Sequence, residues 1–523
     1  MDEALHDLGG IRVDRPPRPL GLDRIFERAQ GWKAGAPSKP VRTPSPPPTA
    51  VTLALPAPLA DPGASSPLGA LFAYADLLPL VLEHISRPGE LATAARVCRD
   101  WAGIARRALY RDIWVRPWDP APKEKFLRVF ETLAANAELC AAVRSLDVRF
   151  FPLDITGDER NALEDMVLQA FRQMNNLERL VWTRDRSMFA ELFDIVTRLP
   201  KLHHVELSGH ATRLFEPALL ATMDQLRDLR VYMPDVAFRI ALSDVITLLC
   251  ERPIGGLEGL ALICKSFNLI NDDMLRALAP YLSSLKRLQL IGCTRITRTG
   301  VYDVLREADG IEELILDAPP HSDLIDLSGA PELSSLKTFS LSFPAPNGRE
   351  VLEPGDMPLL RRTDTLTALE LTLSTNGAHT AQRNRLLPIP AFEALTSQID
   401  FHRLTRLALL NLVIDSDTLS AILDVSPALE ELYISIASRR VLQHTAALAS
   451  APLRILHANA PESAGPTRTD LAGLALYMPK VQQIGSLNRV YEVHRRFDGD
   501  RLVVELARWS QIMTPGYFQV WRP

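Results

Sequence analysis

The sequence predicts an α/β solenoid, with a curved parallel sheet and outer helices, that follows a small all-helical domain and a proline-rich tail. Three observations predict this arrangement. A hexad of the form apolar-x-x-apolar-x-apolar recurs through residues 143–486, apolar residues have helical spacing within residues 70–114, and 13 of the 40 prolines lie in residues 1–67. The predicted regions are a disordered tail (1–67), a helical domain (70–114), a solenoid (115–486) and a C-terminal hairpin cap (487–523).

Composition places the chain among soluble globular proteins. Apolar residues make up 47% and charged residues 23%, and the formal net charge is -5. That balance gives no overall attraction to nucleic acid or to anionic lipid. The five cysteines include no CxxC pair, which argues against a zinc ribbon or a disulfide framework and for reduced thiols in the cytoplasm or nucleus. We expect no membrane span and no signal peptide, because long apolar runs are absent from the sequence.

The tail is predicted to be disordered or to form polyproline II. Its run Thr43-Pro44-Ser45-Pro46-Pro47-Pro48 removes backbone donors and fixes φ repeatedly. Thr43, Ser45 and Ser66 each precede a proline and are candidate phosphorylation sites, although a plain solvated tail explains the same composition.

Helical spacing then begins abruptly. Leu78, Leu82 and Ile85 repeat every three or four residues, Pro88-Gly89 interrupts the pattern, and a second helical pattern starts at Leu91. Short helices of this size cannot bury all of their apolar residues unaided, so we expect part of the stripe to enter a partner's groove. The residues expected to contact that partner are Leu78, Pro79, Leu82, Ile85, Val97, Cys98 and Trp101. The alternative places Trp101 and Cys98 wholly inside the domain core.

The hexad is the main evidence for the solenoid. Thirteen copies begin 24 to 38 residues apart, and the alternating pair in each, such as Leu288 and Leu290, suits a short strand with one buried face. Helices are predicted between the strands at 162–174, 187–199, 242–251, 271–282, 299–308, 416–425 and 441–449. Ser187, Asn271 and Ser416 are candidate capping residues for three of them. After the last copy, Asp498-Gly499 predicts a hairpin turn that would protect the final strand edge.

Side chains between the buried strand residues are expected to face the concave side of the solenoid. The candidate substrate-binding residues there are Arg179, His204, Glu206, Arg230, Tyr232, Arg287, Gln289, Glu313, Arg406 and Tyr433. Mixed charges with aromatic groups favour a protein partner over nucleic acid. The insertion at residues 376–384 is a second candidate contact region, with a solvated loop as the more ordinary interpretation.

No motif for catalysis, metal binding or cofactor binding is present. His203 and His204 occupy consecutive strand positions, so their side chains point to opposite faces. Asp272-Asp273 opens a predicted helix, where acidic groups stabilise the helix dipole, and Glu83-His84 lacks a third ligand. We therefore expect a non-enzymatic protein that needs no cofactor, the alternative being an enzyme with an unrecognised site.

Two segments resemble known families. Leu77-Leu78-Pro79-Leu80-Val81-Leu82-Glu83-His84-Ile85, followed by Val97-Cys98-Arg99-Asp100-Trp101 and Leu109-Tyr110, resembles an F-box. Leu78 stands where that family usually has its first proline, and Leu80 replaces its usual acidic residue. The hexads resemble leucine-rich repeats, and the copy at residues 285–300 is similar to the cysteine-containing subtype. The proline-rich tail and the ending Leu109-Tyr110-Arg111-Asp112-Ile113-Trp114 look similar to those of fungal F-box proteins of the basidiomycete type.

The resemblance implies a function for each part. An F-box binds a Skp-family adaptor and through it a cullin–RING ubiquitin ligase, while leucine-rich repeats hold the substrate protein. The chain would then be a non-catalytic substrate-recognition subunit. The alternative is a leucine-rich-repeat interaction scaffold whose degenerate F-box does not join a ligase.

Overall fold

The structure is a computed structural model, and it describes residues 77–509 apart from 86, 253–255, 265–269, 321, 347–348, 362, 375–383, 445, 462–463 and 499–500. The predicted tail (1–67), the first residues of the predicted helical domain and the last residues of the predicted cap lie outside this range. What the structure describes is an α/β fold with one large, mostly parallel sheet and outer helices.

Three helices open the described chain and form a small bundle. They are α1 (Leu77–Glu83), α2 (Pro88–Ala94) and α3 (Arg99–Arg111). Proline fits the first turn of α2, because the first helical N–H groups have no intrahelical partner. Leu82, Leu91, Ala94 and Ala105 form the buried core of this bundle, which is separate from the core of the sheet.

One sheet contains a strand at each of the thirteen predicted hexads. Within the described residues its parallel strands are β1 (Asp112–Val115), β2 (Ser145–Val148), β3 (Arg179–Trp182), β4 (His204–Ser208), β5 (Asp228–Tyr232), β6 (Gly259–Ile263), β7 (Arg287–Ile291), β8 (Glu313–Asp317), β10 (Thr338–Pro344), β12 (Ala368–Ser374), β13 (Arg385–Leu386), β14 (Arg406–Ile414), β15 (Glu431–Ile436), β16 (Ile455–Asn459) and β17 (Gln483–Ser486). The short strands β9 (Asp326–Leu327) and β11 (Leu359–Leu360) pair separately. The pairing follows the chain from β1 to β17, as stacking of successive coils requires.

Helices and short 3₁₀ turns connect the strands and cover one face of the sheet. The α-helices are α4 (Pro122–Ala135), α5 (Ala137–Ala142), α6 (Asp158–Phe171), α7 (Ala190–Thr197), α8 (Val236–Cys250), α9 (Asp272–Leu278), α10 (Arg298–Glu307), α11 (Ile389–Thr396), α12 (Ser416–Val425), α13 (Arg440–His444), α14 (Ala447–Ser450) and α15 (Arg468–Tyr477). The 3₁₀ turns are Pro217–Thr222, Ala279–Tyr281, Asp323–Ile325, Pro354–Asp356 and Phe401–Arg403. Side chains from these helices and from alternate strand positions form one continuous apolar core.

Several helices begin or end at other residues than predicted, because of local hydrogen bonds. Ser187 does not cap α7; it is buried, accepts the indole N–H of Trp182 at 2.8 Å and donates to the Arg184 carbonyl. Asp415, rather than Ser416, caps α12 by accepting from the Thr418 N–H. The predicted cap Asn271 is observed, since its side chain accepts from Met274 N. The predicted helix 441–449 consists of two short helices, α13 and α14.

The parallel sheet ends in an antiparallel hairpin. Strands β18 (Arg489–Asp498) and β19 (Arg501–Arg508) pair with each other, and β18 also pairs with β17. Leu506 joins the main core, with Tyr491, Val493 and Val504 packed against it. The hairpin therefore covers both the edge of β17 and the apolar end of the last coil, which would otherwise face water.

Removing core volume from a central strand should destabilise the sheet. Leu314 is fully buried on β8, so Leu314→Ala is expected to lower the free energy of unfolding by about 2–5 kcal/mol, measured by urea denaturation with circular dichroism. Leu248 on α8 is 51% exposed, and Leu248→Ala should change it by less than about 0.5 kcal/mol. Equal losses in the two variants would contradict the assignment of the core.

Candidate functional site

Four large apolar side chains of the helical bundle are exposed. Leu77, Leu80 and Val81 are 44%, 56% and 49% exposed, and Val97 between α2 and α3 is 58% exposed. The three α1 residues have the i, i+3, i+4 spacing that places them on one helix face. We call these four residues the bundle surface. The bundle core is complete without them, so they are available to a partner.

The structure corrects the predicted contact set at Leu82. This residue is buried in the bundle core, because α2 and α3 close over it, and it cannot contact a partner directly. Cys98 is the exposed N-cap residue of α3, which contradicts the alternative that placed it wholly inside the domain core. Val97 is exposed as the prediction requires. Sequence reasoning missed Leu77, Leu80 and Val81, although the spacing of Leu77 and Leu80 was a usable signal.

The other residues predicted to contact the partner are neither fully buried nor fully exposed. Leu78, Ile85 and Trp101 are partly buried and pack against the bundle core, and Pro79 is also partly buried. Trp101 therefore packs against the bundle core and exposes only part of its side chain. This position is intermediate between a partner contact and a wholly internal core residue, the two predictions for Trp101.

The register of the parallel strands brings all ten predicted substrate-binding residues to one face. We call this the inner face; it is the side of the sheet opposite the helix-covered core. One row across neighbouring strands contains Arg179, His204, Asp228, Gly259, Arg287, Glu313, Thr338, Ala368, Arg406 and Glu431. The next row contains Val181, Glu206, Arg230, Ala261, Gln289, Ile315, Ser340, Glu370, Ala408, Tyr433 and His457. Tyr232 belongs to the following row beside Ser208 and Ile263.

Three of these ten residues are buried, and seven are partly exposed. Glu206, Gln289 and Tyr433 are 1%, 6% and 0% exposed, so the expectation that they contact a substrate directly is corrected. Adjacent strands are only about 4.8 Å apart, and long neighbouring side chains cover the central row. The other seven are partly exposed: Arg179, His204, Arg230, Tyr232, Arg287, Glu313 and Arg406.

Glu206 is the centre of a buried charge cluster. Its carboxylate lies 3.1 Å from Arg149 Nη2 and 3.6 Å from Arg230 Nη1. Burial disfavours its ionised form, but the charges of these arginines outweigh burial and hold the pKa of Glu206 below its usual range. Desolvation and the nearby Glu206 charge raise the pKa of Tyr232 to about 12, so this hydroxyl stays neutral. Opposite charges are therefore paired with one another within the cluster.

A second ion pair joins residues on β5 and β7 and passes over the glycine of the strand between them. Arg287 on β7 donates to Asp228 on β5, with Nη2 2.6 Å from Oδ1, and the intervening residue on β6 is Gly259. A Cβ at Gly259 would lie 2.0 Å from Asp228 Oδ1. Burial raises the pKa of the Asp228 carboxyl, but hydrogen bonds from His204 and Arg287 outweigh it and keep that pKa below its usual range.

The C-terminal half of the inner face combines one more charge group with an apolar cluster. Arg406 lies 2.9 Å from Glu370 and 3.6 Å from Glu431, and its guanidinium lies 5.5 Å from the centre of the Tyr433 ring. Tyr433 also donates to Glu431 at 2.8 Å. Beyond this group the buried residues Ala408, Leu410, Tyr433 and Val490 pack together, with Ile455 and Trp509 against them. The charged groups of the inner face thus extend into its C-terminal half, where they lie beside a buried apolar cluster.

A long-range ion pair joins the helical bundle to the C-terminal hairpin. Arg87, the N-cap residue of α2, donates through Nη2 to the buried carboxylate of Glu492 on β18. The same guanidinium nitrogen lies 3.4 Å from His494 Nε2. These partners are 405 residues apart in sequence, so the first and last parts of the described chain are in contact. The contact places the start of α2 beside the C-terminal hairpin.

The remaining candidates do not form a chemical site. Among the described residues no group of three or more histidine, cysteine or acidic side chains is placed to hold a metal ion. Asp272 instead accepts hydrogen bonds from the backbone and hydroxyl of Thr297, which is a structural role. The predicted contact loop at 376–384 falls outside the described residues except for Asn384. No helix in the described ranges has the length and apolarity that crossing a bilayer demands.

Comparisons with known proteins give limited information. No protein-family model matches the sequence, and no curated protein matches it. Among solved structures, the fold is similar to a chain in the crystal structure of the Rad7 and Elc1 complex in yeast, with a TM-score of 0.37 and 16% sequence identity. The match covers 66% of this chain and 90% of the yeast chain.

Neutralising the central carboxylate should weaken the fold in a pH-dependent way. Glu206→Gln is expected to lower the free energy of unfolding at pH 7 by about 1–3 kcal/mol, because two arginines lose their shared counter-charge. The folded-state pKa of Glu206 is lowered, so its contribution is complete above about pH 5 and is lost as the pH falls through the unfolded and folded pKa values. Urea midpoints between pH 3 and pH 7 measure this.

A matched control for this variant lies on the protein surface. Glu430 is 48% exposed and pairs with Arg454 at 3.5 Å, so Glu430→Gln should change the free energy of unfolding by less than about 0.5 kcal/mol. If the difference between wild type and Glu206→Gln stayed constant down to pH 3, the electrostatic account of the cluster would be wrong.

A methyl group on β6 should separate the ion pair that crosses it. Gly259→Ala must displace the Asp228 carboxylate from Arg287, so we expect the stability of the folded chain to fall by about 1 kcal/mol. Gly310 has open space around it, and Gly310→Ala is the control. Combining Gly259→Ala with Asp228→Asn should add little further loss, and additive losses would show that the methyl group acts elsewhere.

Proposed function

We propose that this chain is a substrate-recognition subunit of a Skp–cullin–F-box ubiquitin ligase. In this role the helical bundle binds a Skp-family adaptor, the inner face of the repeats binds a substrate protein, and the chain performs no chemistry itself. In this proposal the chain acts in the cytoplasm or nucleus. The observation that carries the proposal is the bundle surface, a set of exposed apolar residues on a bundle whose core does not use them.

Physical chemistry supports a protein partner for this surface. Leu77, Leu80 and Val81 share one helix face, so a groove on a partner can bury them together. Burying a leucine or valine side chain contributes about 1.5–3 kcal/mol, and a few such anchors account for much of the affinity of typical interfaces. The segment that carries these residues is also the one that resembles an F-box.

The inner face supports the second half of the proposal. Partly exposed groups of both charges line its N-terminal strands, including Arg179, Arg230 and Glu313. At the other end, the partly exposed side chains of Ile455 and Trp509 pack against a buried apolar cluster. Such a surface suits a protein segment with both polar and apolar side chains. Because Arg87 and Glu492 bring the bundle next to the hairpin, an adaptor and a substrate would be bound close together on one chain. A ligase requires this arrangement, since ubiquitin transfer depends on the effective concentration of the substrate lysines.

The second candidate function is an interaction scaffold that does not join a ligase. The departures at Leu78 and Leu80 from the usual F-box pattern favour it, because both residues fall in the segment expected to contact the adaptor. Adaptor binding separates the two functions, since a scaffold of this kind would bind its partners through the inner face alone.

Charges placed on the bundle surface should abolish adaptor binding. We expect Leu80→Asp and Val97→Asp each to weaken capture of a Skp-family adaptor by the full-length chain at least about tenfold, because each buries a charge in an apolar interface. Ile240 on α8 is 67% exposed, so Ile240→Asp should bind like wild type. Circular dichroism spectra should be the same for all four proteins.

The measurement is the binding of purified adaptor by calorimetry at micromolar concentration. Failure of the wild-type chain to bind would remove the basis for the ligase proposal and leave the scaffold. Binding that survives both aspartate substitutions would keep the ligase role but place the adaptor on another surface.

A further inference from the structure

Two cysteine thiols lie side by side at the ends of neighbouring strands. Cys264 follows β6 and Cys293 follows β7, and their sulfur atoms are 3.6 Å apart. The thiol of Cys293 donates towards the sulfur of Cys264, and the Cys264 backbone N–H donates to the Ile291 carbonyl at 2.8 Å. Both residues are buried in the main core, so the contact is held by the surrounding sheet.

The two sulfurs differ in their affinity for a proton. The hydrogen bond from Cys293 lowers the pKa of the Cys264 thiol and outweighs the burial that opposes it. The same hydrogen bond, together with burial, raises the pKa of Cys293. Of the two thiols, Cys264 therefore loses its proton more readily than Cys293 does. A thiolate beside a protonated thiol is the arrangement in which one sulfur is oxidised and the other resolves the product.

We propose that Cys264 and Cys293 form a redox modification site at which hydrogen peroxide closes a disulfide between two neighbouring coils of the repeat. In the first step the Cys264 thiolate attacks one peroxide oxygen, the O–O bond breaks, and Cys264 sulfenic acid and hydroxide form. In the second step the Cys293 sulfur displaces the sulfenic oxygen, which leaves as water with the Cys293 proton. The hydroxide takes up the proton that Cys264 lost. Overall, two thiols are oxidised and one peroxide is reduced to two waters.

Geometry and exposure favour this order of events. A disulfide bond is about 2.05 Å long, so the sulfurs need to approach by only about 1.5 Å. Cys264 is 6% exposed and Cys293 is 2% exposed, so the peroxide reaches Cys264 more easily. The bond would close a segment of 29 residues that spans one whole coil. Such a link restricts the unfolded chain, and it would stabilise the middle of the sheet against local opening.

The remaining cysteines provide internal controls. Cys98 is exposed, while Cys140 is buried and donates to the Leu133 carbonyl at 3.0 Å. Burial raises the pKa of both Cys140 and Cys250. In the folded protein, Cys140 and Cys250 should therefore stay reduced under conditions that oxidise Cys98 and the Cys264–Cys293 pair.

The test is a peptide map of the native full-length chain after treatment with hydrogen peroxide and alkylation of the remaining thiols. We expect the peptide that links Cys264 to Cys293 to exceed every other intramolecular cysteine pairing by roughly tenfold, because these sulfurs have the highest effective concentration. The urea midpoint should rise on oxidation and return to its starting value after dithiothreitol. In Cys293→Ser, a sulfenic acid at Cys264 should accumulate and be trapped by dimedone, whereas Cys140→Ser should keep the linked peptide.

Two results would overturn the proposal. One is the absence of the linked peptide from the wild-type map while Cys98 in the same sample is oxidised, which shows that the peroxide was active. The other is a failure of Cys293→Ser to accumulate a dimedone-trapped sulfenic acid at Cys264 while Cys98 in the same sample is oxidised, which would contradict the assigned roles. The wild-type map does not depend on the folding of any variant.

Discussion

The structure depends on one constraint: each coil has an apolar side that only the next coil can cover. The buried pairs of successive strands, such as Leu288–Leu290 and Leu314–Leu316, lie in register and form a core that continues from coil to coil. No coil can be stable alone, because its apolar residues would face water. The two ends of the array are therefore its weak points. The bundle precedes the first strand, and the β18–β19 hairpin covers the last.

The same register decides the chemistry of the inner face. Strands about 4.8 Å apart place the charged residues of neighbouring coils within reach of one another, so charges that look like a binding surface in the sequence partly neutralise each other in the fold. Glu206 on β4 illustrates this, since Arg230 lies on the neighbouring strand β5 and Arg149 directly follows β2 on the other side. The result is a preorganised surface in which the partly exposed residues Arg287 and Arg230 are oriented by their ion-pair partners, Asp228 and Glu206. Preorganisation reduces the entropy lost when a partner binds.

The bundle follows a different principle, because its few residues can form only a small core. Leu82, Leu91 and Ala105 fill that core, and the apolar residues left over lie outside. Exposure of leucine and valine costs solvation free energy unless another surface covers them, which connects the composition of this segment to a binding role. The ion pair between Arg87 and Glu492 then links this bundle to the far end of the sheet.

The sequence by itself determined the periodic part of this protein. Strand positions follow from the hexads because a period of two on a short strand leaves only one face to bury, and the α/β class follows from the helices between them. The sequence determined helix ends less well, because a side chain caps a helix only if it reaches a free backbone N–H group. Neither of the predicted caps Ser187 and Ser416 does so in the structure.

Only the tertiary structure decided which candidate residues are accessible and which distant residues meet. Leu82 and Leu80 have similar side chains two positions apart, yet one is core and the other surface, because helix packing sets the direction of each side chain. The contacts between Arg87 and Glu492, and between Cys264 and Cys293, depend on how the coils stack, and no local pattern in the sequence encodes that stacking.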